Sequence, residues 1–203
     1  MKHSSTRAVY AHWNERRGDR PAPERGDIDP AQIGRALSDT FMLAADYVED
    51  QRFRLAGSRI CALFGRELKG ESFLALWRMA DRKIVADMLA IVAEESLGAV
   101  AGLIARTADG NAAELELLLL PMVHKGHARL RSLGVLAPIA VPYWLGTCPA
   151  TELELGALRH IGPELERVDS PRLQPAPEGS RVRHGLVVYD GGRGRGDASG
   201  ASG

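Results

Sequence analysis

Net charge is the first thing this sequence lacks. Its 203 residues carry 26 basic and 26 acidic side chains, a formal charge of zero. That removes the basic surplus by which a nucleic-acid binder usually gathers its partner. Long apolar runs are missing too: the longest, Leu117 to Val123 and Val135 to Val141, fall far short of the ~20 residues a bilayer span requires. The opening residues, Met1 to Thr6, lead into a charged segment without an apolar stretch, so no signal peptide and a cytoplasmic location are expected. Cysteine is scarce. Cys61 and Cys148 form no metal or redox spacing; one disulfide stays open, and free thiols are the simpler reading. Lysine is also rare, at four of the 26 basic residues. An arginine surplus suits bidentate anion contacts, and it is equally what a GC-rich genome writes.

What is present divides into zones. Residues 1–37 are charged and punctuated by proline. Thr6 to Arg16 predicts a short helix with Val9, Tyr10 and Trp13 at helical spacing. Asp29 before Pro30 predicts a second helix start. Residues 38–146 carry the core. Thr40–Tyr47 and Gln51–Ala56 read as strands, with Phe53 and Leu55 on one side of the second and Arg52 and Arg54 on the other. Ser58–Phe64, ended by Gly65, and Ser72–Trp77 read as short helical turns. Arg78–Glu95 is the longest helical pattern, with Ile84, Val85, Met88, Leu89 and Val92 as its stripe. Three strand-like runs follow: Ala99–Thr107, Glu114–Val123 and Arg129–Val141. Residues 147–168 predict a C-terminal helix, with Leu153, Leu155, Leu158 and Ile161 available for packing. Residues 169–203 hold eight Gly and three Pro, a composition expected to stay unstructured. The fold class is therefore α+β, with about five antiparallel strands.

The order strand, strand, short helices, helix, three strands resembles the PAS fold. Phe53 to Ser58 and Leu63 to Gly70 look like the second strand and first helices of such a domain. Tyr10, Trp13, Arg17-Gly18, Arg20-Pro21, Pro23, Arg25, Ile28-Asp29-Pro30 and Ile33 resemble a small, free-standing PAS-like family of alphaproteobacteria. That resemblance continues through Leu120-Pro121 and Leu133-Gly134 to Trp144-Leu145-Gly146. It implies a PAS-like five-stranded sheet with short helices on one face and an N-terminal helix. It also implies a sensory or regulatory module acting through a small ligand or a protein contact. It brings no catalytic residues.

Residue chemistry agrees. There is no G-x-S-x-G, Walker A, H-E-x-x-H or C-x-x-C motif, so no enzyme is expected. A small enzyme would have to pair Arg52 or Arg54 with Glu114 or Glu116, whose two-residue spacing puts them on one strand face. The bland reading of those carboxylates is a solvated strand end. His124 and His127 flank a turn with no third ligand nearby, so no metal is expected. The long helix carries no His to hold haem, and Ser72 stands where flavin-linked light sensors carry a cysteine. The cofactor is left open. Cys61 reads either as a redox thiol activated by Arg59 and Arg66 or as a small apolar residue between Ile60 and Leu63 on a buried helix face. The Gly/Arg tail sets its arginines against Asp190 and Asp197, so no nucleic acid is expected, and no membrane.

If the resemblance holds, a pocket between helices and sheet is lined by Phe53, Leu55, Phe64, Trp77, Leu89, Leu103, Leu117 and Leu119. That lining suits an apolar or aromatic ligand. Both faces of Leu117 to Leu120 are apolar, so Leu118 and Leu120 need cover. Tyr10 and Trp13 supply it either within the chain, in a homodimer, or as anchors for a protein partner. A structural adaptor with a filled core is the alternative to a sensor.

Overall fold

The computed structural model describes residues 1–45, 51–123, 130–162, 181–183 and 186–188. The chain divides into two compact units, Met1–Glu166 and Arg167–Gly203. The first begins with helix α1 (Ser4–Arg17), whose start is capped by His3 Nδ1 accepting the Ser5 N–H at 3.1 Å. Val9 and Trp13 lie one turn apart and are both buried. Gly18 ends the helix at φ 55°. Helix α2 (Pro30–Ile33) starts as the sequence predicts: Asp29 Oδ1 accepts the Ala31 N–H at 2.9 Å and Pro30 sits at the first position.

The sheet follows: β1 (Thr40–Ala45), β2 (Arg52–Ala56), β3 (Gly98–Thr107), β4 (Ala112–Met122), β5 (Leu130–Pro138) and β6 (Ala150–Ile161). Its spatial order is β2-β1-β5-β4-β3-β6, with antiparallel neighbours throughout. Helices α3 (Ser58–Phe64) and α4 (Arg82–Glu94) and the 3-10 turn Phe73–Leu76 cover the inner face. Helices α1 and α2 cover the outer one. Val85, Met88, Leu89 and Val92 of α4 are buried, whereas Ile84, expected in the same stripe, is 50% exposed. The helix begins at Arg82 because the preceding segment is held elsewhere: the Arg78 N–H donates to Leu153 O at 3.0 Å.

Two expectations are corrected here. The sheet has six strands, not five, because the C-terminal helix expected over 147–168 is strand β6. The reason is a bulge. Ala101 pairs with Leu158 and Leu103 with Leu155, so β6 uses three residues where β3 uses two. Leu155 and Leu158 both pack on the inner cluster, and their spacing imitates a helical one. In the second unit, β7 (Arg181–Arg183) and β8 (Leu186–Val188) form an antiparallel pair within the stretch expected to be unstructured. Val182, Val187 and Val188 favour a strand, a local preference that the Gly-rich composition of the whole tail conceals. The remainder of that stretch, like the turn with His124 and His127 and the end of the first predicted strand at Asp46 and Tyr47, lies outside the described residues.

One glycine is needed for the inner layer to close. Gly134 faces Phe41 across β5 and β1, and a Cβ there would meet the Phe41 ring at 2.1 Å. The ring lies where a side chain would stand.

Candidate functional site

The inner layer brings together seven of the eight residues expected to line a pocket. Phe53, Phe64, Trp77, Leu89, Leu103, Leu117 and Leu119 belong to one cluster, none more than 3% exposed. Two of them, Phe53 and Trp77, join a set of packed rings with Phe41 and Phe73 of the same cluster. The Phe41 ring stands 5.5 Å from Phe53 and 5.6 Å from Phe73, and Phe73 stands 5.7 Å from Trp77. Such centroid spacings are those of packed aromatic pairs.

Leu55 is the exception, at 41% exposed. Alternation along a strand would put it beside Phe53. But Met42 pairs with Leu55 and Leu43 with Phe53, which leaves Arg54 as an extra residue. The bulge flips Leu55 to the outer face, alongside Met42.

Polar side chains also reach the interior. Gln51 and Ser132 are fully buried, and Trp77 is 1% exposed. Neither amide atom of Gln51, nor Ser132 Oγ, nor Trp77 Nε1 has a hydrogen-bond partner among the described residues. Leaving such groups unpaired costs on the order of 1–3 kcal/mol each. Sequence reasoning passed over Gln51 and Ser132, because nothing local distinguishes a buried Gln or Ser from an exposed one.

On the outer face, the residues proposed as an interface are used within the chain. Trp13, Leu118 and Leu120 are buried in one cluster with Val9, Val100 and Val135. Trp13 Nε1 donates to Pro121 O at 2.8 Å, and the Arg17 guanidinium lies 5.5 Å from its ring. Tyr10 is half-buried and stacks on Trp13 at 6.2 Å.

Two acidic residues fasten the start of α1. Glu116 accepts the backbone N–H of Lys2 at 2.5 Å and of His3 at 3.0 Å, and the Thr6 hydroxyl. Burial pushes its carboxyl up, but the Thr6 hydroxyl, those two N–H groups and the N-terminal charge outweigh it, so the pKa falls below the usual value. Asp39 accepts from Ser5 Oγ at 2.6 Å and from Arg59 at 2.7 Å on both oxygens. The expected solvated strand end is therefore half wrong: Glu114 is exposed, while Glu116 is 5% exposed and holds a helix.

The small-enzyme alternative finds no assembly. Arg52 and Arg54 lie on β2, and Glu114 and Glu116 on β4, three strands away, or roughly 14 Å at the usual strand spacing. Cys61 and Cys148 are free thiols. Burial raises the Cys61 pKa, with Glu67 adding to it. The arginines expected to activate it are engaged elsewhere, Arg59 with Asp39 and Arg66 with Glu71 at 3.0 Å. Among the described residues no group of three His, Cys, Asp or Glu is placed to hold a metal, and no helix is long and apolar enough to cross a membrane.

An antiparallel sheet with short helices on its inner face and a helix across its outer face is the PAS-like α+β arrangement. The family model described as a PAS domain matches residues 1–137, and the chain belongs to that family of sensory and regulatory modules. No curated protein matches the chain. Among solved structures it is similar to the PAS domain of an HTR-like protein from Haloarcula marismortui. The identity is 20% over 51% of this chain and 86% of that one, with a TM-score of 0.38. It is also similar to the PAS domain of a protein from Colwellia psychrerythraea, at 14% identity over 53% and 94% and a TM-score of 0.39.

Proposed function

We propose that this PAS module regulates through contact with a protein, either a partner or a second copy, in the cytoplasm, and that its own side chains fill its core. The observation that carries this reading is the inner cluster, where seven residues suited to line a pocket lie buried together at 3% exposure or less. Side chains so fully withdrawn from solvent offer an apolar ligand little open lining. A module of this kind passes its signal through its exterior. Ile139, Val141 and Tyr143, at 40%, 65% and 89% exposed, lie along one stretch after β5. The free-standing alphaproteobacterial proteins resembled by residues 8–146 fit the same role.

A second reading has its own support. Gln51 and Ser132 are buried polar groups without partners among the described residues, the usual mark of a bound water or a small polar occupant. Native mass spectrometry of the freshly purified full chain separates the two. Bare chain mass, as a monomer or an oligomer, is the expected result. A retained small molecule overturns the filled-core reading in favour of a sensor.

A further inference from the structure

We infer that the open half of the outer sheet face is the contact between two copies of this chain, with Arg159 of each copy set on Glu114 of the other. It rests on the reading of the module as one that works through a protein contact, and it commits that contact to a second copy. Helix α1 covers the outer face over β4 and β5. Beside it, over β3 and β6, lies a concavity of about 600 Å³. Gly102, Gly156 and Ala157 are its exposed floor, and Ile104 and Ile139 give it apolar sides. Gly102 stands out. It lies within β3, which is paired on both sides, and glycine weakens such a strand. Its φ is not positive, and a Cβ added to it would meet nothing within 4 Å. Neither its conformation nor the packing of its own chain calls for glycine. Close approach of another backbone does.

Two opposite charges frame that glycine. Val100 pairs with Arg159 of β6, and Ile104 pairs with Glu114 of β4. Arg159 and Glu114 are therefore diagonal about Gly102, each roughly 8 Å from it at ordinary strand spacings. Neighbouring charges are answered within the chain: Glu154 holds Arg78 at 3.0 Å and Arg106 at 2.9 Å, and Glu116 holds the N–H groups of Lys2 and His3. Arg159 and Glu114 are both exposed, and neither side chain has a partner among the described residues. Lys2, on the α1 side, is the further exposed charge lining the space.

Opposite charges placed evenly about one point suit an isologous contact, where residue i meets j and j meets i. Take a twofold axis through Gly102, parallel to the sheet and perpendicular to the Arg159–Glu114 diagonal. It lays Arg159 of each copy over Glu114 of the other, with the two glycines facing at the axis. Helix α1 raises only one side of the face, so the bare β6 side of each copy falls beside the α1 side of the other. Ile104 and Ile139 lose their exposure there. Sheets packed face to face stand about 10 Å apart, a gap that Arg and Glu side chains span.

The test is sedimentation equilibrium of the full chain. The parent is expected to dimerise in the micromolar range. Arg159→Glu and Glu114→Arg each set like charges against each other twice, and either alone should raise the dimer dissociation constant about a hundredfold. An equimolar mixture of the two variants should dimerise as the parent does, because both contacts are then again Arg on Glu. The double variant should do the same. Gly102→Val should also separate the copies, with the circular dichroism of the fold unchanged, since the added carbon enters open space. A monomeric parent leaves the face to a different protein or to a small molecule and overturns the proposal. So does a dimer that survives Arg159→Glu, or a mixture of the two single variants that stays monomeric. None of these outcomes touches the filled-core reading, which only a retained small molecule overturns.

Discussion

Glu116 is a carboxylate taken out of water to hold a helix end. Its three hydrogen bonds come from the backbone N–H groups of Lys2 and His3, just before the helix, and from the Thr6 hydroxyl in its first turn, and the helix dipole adds to the attraction. Because its folded pKa lies below the ordinary value, its contribution to stability is fully present above that value. The contribution is lost as pH falls through the folded pKa. Glu116→Gln is therefore expected to cost about 2 kcal/mol near neutral pH, the scale of hydrogen bonds to a charged group. The cost should shrink toward zero in acid. Urea unfolding of parent and variant at about pH 7 and about pH 3 checks this. A deficit of the same size at both would show that the charge contributes nothing. Asp81 belongs to the same acid-sensitive set. Its bond to Arg78 lowers its pKa against burial, and the Leu155 N–H, donated at 2.7 Å, helps.

Helix α1 illustrates what one element gains from a surface. Alone, 14 residues with so many charges are marginal in water. Laid on the sheet, the helix buries Val9 and Trp13 over Leu118 and Leu120, the strand residues with an apolar face on each side. Trp13→Ala should cost about 3–5 kcal/mol, the range for truncating a buried aromatic. Trp13→Phe should cost less, with the indole bond to Pro121 O, at 2.8 Å, among the losses. Thermal melting ranks the three proteins, and light scattering follows their mass. An alanine variant that melts with the parent would mean that α1 does not contribute to the fold.

At the scale of the whole molecule, both apolar clusters lie within Met1–Glu166. A chain ending at Glu166 should melt at the temperature of the full chain, because no residue of either cluster is removed. A clear drop would show that Arg167–Gly203 stabilises the first unit. The two clusters sit on opposite faces of one sheet, which separates roles: the inner face bears on what the core holds, the outer face on the N-terminal helix.

Periodicity, caps and glycines by themselves determined α1, the Asp29-Pro30 start, the end of α3 at Gly65, strands β1 to β5 and most of the inner layer, because each is a local signal repeated every two or 3.6 residues. The doubly apolar run Leu117 to Leu120 likewise announced that both sheet faces are covered. Only the tertiary structure decided the rest, and at two places for the same reason. A bulge inserts one residue into one strand of a pair, so it reverses the facing of everything beyond it without altering composition. In β2 it sends Leu55 outward. In β6 it sets Leu155 and Leu158 three apart, and a strand reads as a helix. The placement of Glu116 under α1 and the burial of Gln51 and Ser132 were decided the same way. Each depends on which distant element lies above the residue, and that is a property of the packed chain rather than of its neighbours in sequence.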